Sequence, residues 1–182
     1  MVKNLNAKLR KLKKLTLSFL AALICISAFG ADSDAQSYNI PRFENLKSSE
    51  ANIRSGPGLS YDVLYKINAK DTPVEIIEEF ENWRKVKDIT GESGWVHKAL
   101  INQKRSAFVK KASQNNNQLF IPLLEEPKTG AQLLASIEIG SSVFIDECLQ
   151  NYCLVEKEDS NNLHYGWVSK GNLWGVYIEE IF

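Results

Sequence analysis

Few side chains in this 182-residue sequence could act as nucleophiles, general bases or metal ligands. The sequence has two histidines, His97 and His164, and three cysteines, Cys25, Cys148 and Cys153. A nucleophile needs a base within hydrogen-bond reach, and a metal site needs several His or Cys residues at close spacing. The two histidines are far apart in the sequence, and neither is next to a cysteine. We therefore expect a protein that is not an enzyme and that has no cofactor and no metal site.

The cysteine pair near the C-terminus has the spacing of a cross-linked β-hairpin. Cys148 and Cys153 flank the tetrapeptide LQNY. If Gln150 and Asn151 form a two-residue turn, the cysteines face each other as a non-hydrogen-bonded pair with Cα atoms about 4.5 Å apart, close enough for a disulfide. A redox-active pair is the alternative, although the spacing is not Cys-x-x-Cys and no basic residue adjoins either thiol. The sequence predicts a structural Cys148–Cys153 disulfide.

The first thirty residues have the composition of an export signal. Residues 3–14 carry six bases and no acid, and residues 15–29 form an apolar run shorter than the roughly 20 residues that span a bilayer. Ala28 and Gly30 supply the small residues of a cleavage site. We expect residues 1–30 to be a cleaved signal peptide and the mature protein to be periplasmic or secreted. An uncleaved N-terminal anchor is the alternative.

Loss of the signal peptide changes the charge of the protein. The whole chain has 22 basic and 22 acidic residues, and without the six bases of residues 1–30 the net charge becomes −6. Residues 118–182 alone carry 3 bases and 10 acids. Nucleic acids and anionic membranes bind basic faces. We therefore expect no nucleic-acid partner and no stable membrane insertion after signal cleavage.

Two parts of the remaining chain repeat each other with a period of about 70 residues. The segment VEIIEEFENWRKVKD at 74–88 aligns without a gap with VFIDECLQNYCLVEK at 143–157, and both copies continue to a GWV tripeptide. Short apolar runs separated by Gly, Pro, Asn and Asp indicate strands, and no segment keeps a helical period over three turns. The sequence therefore predicts an all-β protein of two small modules. Predicted strands are 52–54, 64–67, 74–80, 83–87 and 94–96 in the first copy, and a C-terminal strand within 173–182.

The first copy resembles the bacterial SH3-like domains. The matching segments are ANIRSGPGLSYDV at 51–63 and ENWRKVKDITGESGWVHKAL at 81–100. The second copy keeps the strand pair and GWV, but has LLEEPKTGA at 123–131 in place of the Arg-Ser-Gly-Pro signature. The resemblance implies two tandem, small, partly open five-stranded β-barrels with a recognition role in the cell envelope, and it does not imply a reaction. The expected division is a signal peptide (1–30), an N-terminal tether (31–45), a first SH3-like domain (46–103), a basic and polar connector (104–117), and a second SH3-like domain with a C-terminal strand (118–182).

The glycine-rich stretch RSGPGLSY could be a turn or part of a binding site. Turn chemistry accounts for GPG, because glycine adopts φ values that other residues avoid and proline fixes one bend. The stretch lacks the lysine and the following helix of a phosphate-binding loop. Resemblance to ligand-binding relatives implies instead that one wall of a shallow peptide groove is formed here. Trp83 follows a tight EN turn, and with Phe80 it could form a cross-strand aromatic pair that is open to solvent on one side or that covers the small core. The residues implied are Arg54, Ser55, Tyr61 and Trp83.

The sequence thus predicts an exported, non-enzymatic module that recognises cell-envelope peptides, either a peptidoglycan stem peptide or an envelope protein. The first module would supply the groove, and the acidic second module would dock against the connector or another cationic surface. The alternative is a structural or assembly protein of the envelope that binds another polypeptide.

Overall fold

The computed structural model describes residues 39–112, 118–158 and 162–182, and these ranges consist mainly of antiparallel strands. The predicted signal peptide and residues 113–117 of the predicted connector lie outside the described residues. The described part contains fourteen strands and two short 3₁₀ helices, and none of its helices is long and apolar enough to cross a membrane. The all-β prediction is confirmed.

The two copies have the same strand order, β3-β2-β6-β5-β4-β1-β7 in the first and β10-β9-β13-β12-β11-β8-β14 in the second. The sequence repeat is therefore a structural duplication. Strands β1 to β7 are Arg42–Leu46, Ala51–Arg54, Val63–Ile67, Thr72–Phe80, Trp83–Lys87, Ser93–His97 and Ile101–Asn102. Strands β8 to β14 are Ser106–Val109, Phe120–Leu124, Leu133–Glu138, Ser142–Cys148, Tyr152–Glu158, Leu163–Ser169 and Leu173–Trp174. The 3₁₀ helices, Lys98–Leu100 and Lys170–Asn172, precede β7 and β14.

Each copy closes around its own apolar core. The five strands predicted in the first copy are confirmed as β2 to β6. Alternate side chains of β4 point inward, and Val74 and Ile76 are fully buried together with Val86 and Val96. A second core is built in the same way around Val155 in the other copy. Because each buried aliphatic side chain contributes about 1.5–3 kcal/mol, the alternating pattern stabilises two separate cores.

Each sheet has seven strands, two more than the resemblance implied. The additional strands include β1, which lies in the predicted tether, and β8, which lies in the predicted connector. Strand β1 pairs with β4 and β7, and β8 pairs with β11 and β14. Both bury apolar side chains, Leu46 in β1 and Val109 in β8. No turn next to these short strands indicates their pairing, because their partners are distant along the chain.

A buried polar contact joins the two copies. The hydroxyl of Ser106 at the start of β8 lies 2.8 Å from the side-chain oxygen of Asn45 in β1 and 2.8 Å from the backbone carbonyl of Asp71. Ser106 and Asn45 are each only 1% exposed. A buried hydroxyl without a partner would cost free energy, so this contact favours one arrangement of the copies.

Aromatic residues extend the contact between the copies. Phe43 of β1 packs edge-on against Trp174 of β14, with 5.2 Å between ring centroids, and lies 4.9 Å from the ring of Tyr177. The Tyr177 hydroxyl donates a 2.8 Å hydrogen bond to Glu75 of β4, which also pairs with Lys87. Burial and the charge of Glu75 raise the pKa of Tyr177, so its hydroxyl stays protonated and can donate.

The C-terminal segment packs back onto the second copy, but most of it is not a strand. The expectation of a strand within 173–182 is correct only for Leu173–Trp174. The chain turns at Gly175, whose φ is +132° and whose missing Cβ would lie 2.5 Å from the carbonyl oxygen of Ser106. A side chain has no room there, and the left-handed backbone ends the pairing.

Ionic contacts hold the end of this segment. Arg105 of the predicted connector binds both carboxylate oxygens of Glu180, at 2.5 and 3.0 Å. Burial opposes the ionisation of Glu180, but the hydrogen bond and positive charge of Arg105 outweigh it and lower its pKa. Lys170 is 2% exposed and donates to the carbonyls of Ile178, at 3.1 Å, and Glu180. A basic residue of the predicted connector, Arg105, thus forms an ion pair with an acidic residue of the second copy, Glu180.

Candidate functional site

The glycine-rich loop between β2 and β3 packs around the ring of Tyr61. A Cβ atom on Gly56 would lie 2.3 Å from Cδ1 of that ring, and a Cβ on Gly58 would lie 3.2 Å from Cδ2. Carbon atoms in contact are normally about 3.5–4.0 Å apart. Neither glycine has a positive φ. The glycines are required because the ring lies against them.

The second copy shows that the loop backbone itself does not need glycine. Gly58 donates its N–H to the carbonyl of Gly56 at 3.0 Å, and Lys128 donates to Glu126 in the same way at 2.8 Å. Where the first copy has tyrosine, the second has Ala131, so no ring excludes these larger side chains. The expectation that glycine supplies a φ value that other residues avoid at these positions was wrong. Glycine is needed there because the Tyr61 ring lies where a side chain would be.

Arg54 at the end of β2 is held by the loop. Its Nη1 donates to the backbone carbonyl of Tyr61 at 2.7 Å and to that of Leu59 at 3.2 Å. Its Nε and Nη2 atoms have no hydrogen-bond partner among the described residues. A guanidinium binds a carboxylate through two parallel N–H groups. Arg54 is therefore oriented by one nitrogen while its other donors remain available to a ligand.

A cavity of about 180 Å³ lies beside Arg54. Of the four predicted groove residues, the structure brings Arg54 and Trp83 together here. Tyr61 does not line the cavity but binds Arg54 through its carbonyl, and Ser55 makes a backbone hydrogen bond to Asp62. We call this cavity the first-copy groove. It is lined by Glu50, Asn52, Arg54, Leu59, Trp83, His97 and Leu100.

Trp83 forms the aromatic part of the first-copy groove. It pairs with Phe80 across the β4–β5 hairpin, as the sequence indicated. Only 9% of Trp83 is exposed, whereas Phe80 is 51% exposed, so Trp83 is buried with the core and Phe80 is the open member of the pair. The ring of His97 packs edge-on against Trp83 at 5.4 Å and covers part of it. Trp83 therefore presents a small part of its ring to a ligand.

Glu50, Asn52 and His97 also line the groove and were not identified from the sequence. Glu50 and Asn52 precede Arg54 at two-residue intervals, and alternate residues of an extended chain share a face. That spacing was the available signal. Glu50 pairs with Lys66 at 2.6 Å. Nδ1 of His97 accepts a hydrogen bond from the N–H of Ala99 at 3.2 Å, so the neutral imidazole carries its proton on Nε2 and is a donor.

The structure joins Cys148 and Cys153 in a disulfide across the β11–β12 hairpin. The two residues face each other in the predicted register, and Leu149 donates to the carbonyl of Tyr152 at 2.8 Å to close the turn. The equivalent positions of the first copy, Glu79 and Arg84, also face each other and form a 2.9 Å ion pair. The same hairpin is thus cross-linked covalently in one copy and ionically in the other.

The part of the chain that the structure describes contains no group of three His, Cys, Asp or Glu residues that could hold a metal ion. The side chains of the first-copy groove offer several kinds of contact to a ligand. A guanidinium with available donors, a carboxylate, an imidazole donor and part of an indole ring can recognise a polar ligand that also has apolar groups.

Comparison with known proteins gives one family and several more distant similarities. A model of the family described as "Bacterial SH3 domain" matches the chain twice, at residues 47–103 and 119–175. The protein named "Putative N-acetylmuramoyl-L-alanine amidase YrvJ" from Bacillus subtilis (strain 168) is 23% identical over 128 residues, which are 68% of this chain and 24% of the amidase. The chain therefore spans about a quarter of that relative.

Two solved structures from Trichomonas vaginalis, NlpC1 and NlpC2, are each 14% identical to this chain. They cover 75% and 76% of it and 46% and 49% of their own chains, with TM-scores of 0.32 and 0.33. These TM-scores are too low to indicate the same overall arrangement.

Proposed function

Because this chain belongs to the bacterial SH3 domain family, we propose that it is an exported binding protein of the cell envelope without catalytic activity. Bacterial SH3 domains are binding modules, and the similarity to a protein named as an N-acetylmuramoyl-L-alanine amidase supports a cell-wall ligand. Cys148 and Cys153, as disulfide partners, offer no free thiol for nucleophilic catalysis. The predicted signal peptide supports a periplasmic or secreted location.

The proposed ligand is a cell-wall peptide, such as a peptidoglycan stem peptide, bound in the first-copy groove. The observation that carries this proposal is the orientation of Arg54, which is held through Nη1 and has Nε and Nη2 available. A peptide carboxylate would accept both N–H groups of that edge. Glu50 offers a carboxylate to a peptide amine, and Trp83 offers an apolar surface.

The second copy does not offer the same chemistry. In the first copy Arg54 faces Trp95 across the β2–β6 pair, and in the second copy Leu124 faces Trp167 in the equivalent pair. Tyr152 stands where the first copy has Trp83. Since leucine cannot bind a carboxylate, we assign wall-peptide recognition to the first copy alone.

Retention of the full chain on purified sacculi tests this proposal. The variant Arg54→Leu places the second copy's residue in the first copy, so the strand pairing can persist while the guanidinium is lost. A charge-assisted hydrogen bond contributes about 1.5–3 kcal/mol, so we expect retention to weaken about tenfold or more. Tyr152→Ala, at the second-copy position that matches Trp83, is the control and should be retained like the wild type.

Retention of Arg54→Leu equal to that of the wild type would contradict the assignment of the groove. Failure of the wild type to bind sacculi at all would favour the alternative function, a structural or assembly protein of the envelope whose partner is another polypeptide. Circular dichroism of each variant shows whether the fold is intact, so that a loss of retention reports binding.

A further inference from the structure

A larger cavity, of about 450 Å³, opens beside β9 and β10 in the second copy, and we call it the second-copy cavity. Its volume is within the range of small-molecule sites, about 300–1,000 Å³. The base is apolar, because Leu123 and Ile137 are 1% and 4% exposed. The lining residues include Leu123, Ala135, Ile137, Glu138, Lys157 and His164.

In the first copy, a tyrosine stands at the equivalent position. Tyr65 of β3 faces Ile53 of β2, and Ala135 of β10 faces Leu123 of β9 in the matching register. Tyr65 packs against the core of the first copy, and Ala135 packs against the core of the second. Because alanine lacks the ring, the second copy has room for an aromatic group that the first copy supplies from its own chain.

The side chains near Tyr65 in the first copy and those near Ala135 in the second copy carry opposite charges. In the first copy, burial together with the nearby carboxylates of Asp88 and Glu92 raises the pKa of Tyr65. The aligned residues of the second copy are Lys157 and His164, which face each other across β12 and β13. The second-copy cavity thus has an ammonium and an imidazole where the first copy has two acids.

Lys157 is placed to bind an anion within the cavity. It is half-buried, and among the described residues its ammonium has one hydrogen-bond partner, the carbonyl of Ser142 at 3.4 Å. A neutral carbonyl does not neutralise its positive charge. Glu138, the carboxylate beside the cavity, is exposed, so water screens its charge more strongly than that of the half-buried Lys157. The local balance therefore favours a carboxylate on the ligand.

We propose that the second-copy cavity binds a small aromatic carboxylate, with its ring where Tyr65 lies in the first copy and its carboxylate at Lys157. The ring would contact Leu123, Ala135 and Ile137. This ligand differs from a wall peptide, and the site is in the other copy. The proposal therefore stands or fails separately from that for the first-copy groove.

Binding of 3-phenylpropionate to the full chain, followed by backbone amide chemical shifts, tests the proposal. We expect saturable shifts at Ala135 and Ile137. Ala135→Tyr, which copies the first module, should abolish them by filling the cavity. Lys157→Gln should weaken binding of the acid about fivefold, the equivalent of about 1 kcal/mol for one charge pair, and leave binding of the uncharged 3-phenylpropanamide within about twofold.

The matched control is Tyr65→Ala in the first copy. This variant opens an equivalent space beside Asp88 and Glu92, so we expect it to bind the acid there less well than 2-phenylethylamine, which carries a positive charge. The absence of saturable shifts in the wild type, persistence of binding in Ala135→Tyr, or equal weakening of acid and amide in Lys157→Gln would each overturn the proposal. The shifts at Ala135 are read on the wild type and therefore do not depend on the folding of any variant.

Discussion

Replacement of Gly56 by alanine tests whether the Tyr61 ring is the reason for glycine in the loop. The new Cβ would lie 2.3 Å from Cδ1 and 2.6 Å from Cγ of the ring, about 1 Å or more inside a normal contact. Because Cγ is close to the backbone, rotation of the ring edge cannot relieve the clash. The whole side chain must move, either by rotation about its Cα–Cβ bond or together with the loop backbone whose Tyr61 carbonyl holds Arg54.

The expected effect of Gly56→Ala on the free energy of unfolding has opposite signs with and without the Tyr61 ring. Overpacking costs about 1–3 kcal/mol, so Gly56→Ala should lower the free energy of unfolding of the wild type by that amount. In a Tyr61→Ala background the clash is absent. Alanine then restricts the unfolded chain at a position without positive φ, which stabilises the fold by about 0.4–1 kcal/mol. The coupling free energy between the two substitutions is therefore about 2 kcal/mol.

Urea unfolding of the full chain, followed by tryptophan fluorescence, measures this coupling for the wild type, both single variants and the double variant. Glu126→Ala is the control, because it lies at the same loop position of the second copy, where Ala131 replaces the tyrosine. We expect it to change the free energy of unfolding by less than about 0.5 kcal/mol. If Gly56→Ala had the same cost with and without the ring, the explanation of the glycines by ring packing would be refuted.

Three further predictions concern single contacts. Gly94→Ala should lower the free energy of unfolding by about 2 kcal/mol or more, measured by urea unfolding, because its Cβ would lie 2.8 Å from a backbone carbonyl of β2 that is fixed by the sheet. A similar stability to the wild type would contradict this. Tyr177→Phe should cost about 1–3 kcal/mol in the same assay, because it removes the hydroxyl that binds the buried Glu75; Tyr177→Leu should cost more, since the ring contacts are lost as well. Glu180→Gln should lower the melting temperature at pH 7 but have little effect near pH 2. Arg105 lowers the pKa of Glu180 in the folded protein, so the ion pair stabilises the fold above the unfolded pKa of Glu180 and this stabilisation is lost as the pH falls through the folded pKa. An equal change in melting temperature at both pH values would contradict this prediction.

Features that depend on local sequence were predicted well. The strands of the first copy and the facing cysteines follow from alternation and from short turns between neighbouring strands. Glu79 and Arg84, which occupy the positions of the two cysteines in the first copy, also face each other. In these cases the paired strands are joined by a short turn, so the sequence pattern that indicates one strand also indicates the strand it pairs with.

Features that depend on distant partners were missed. Strand β1 pairs with β4, which begins about thirty residues later, and with β7, which begins nearly sixty residues later, and no local signal separates it from a tether. The end of the C-terminal strand at Gly175 follows from the backbone of Ser106, which cannot be seen in the local sequence. His97 enters the first-copy groove because β6 lies beside β5, and the sequence alone did not place its ring against Trp83.

The contact that joins the copies has a consequence for ligands that engage both. Rotation of one copy against the other would separate Phe43 from Trp174, would leave the Ser106 hydroxyl without a partner and would remove the Tyr177 hydroxyl from Glu75. These contacts therefore favour one distance between the first-copy groove and the second-copy cavity. A bivalent compound gains most avidity when its spacer matches that distance, and a spacer too short to span it gains nothing.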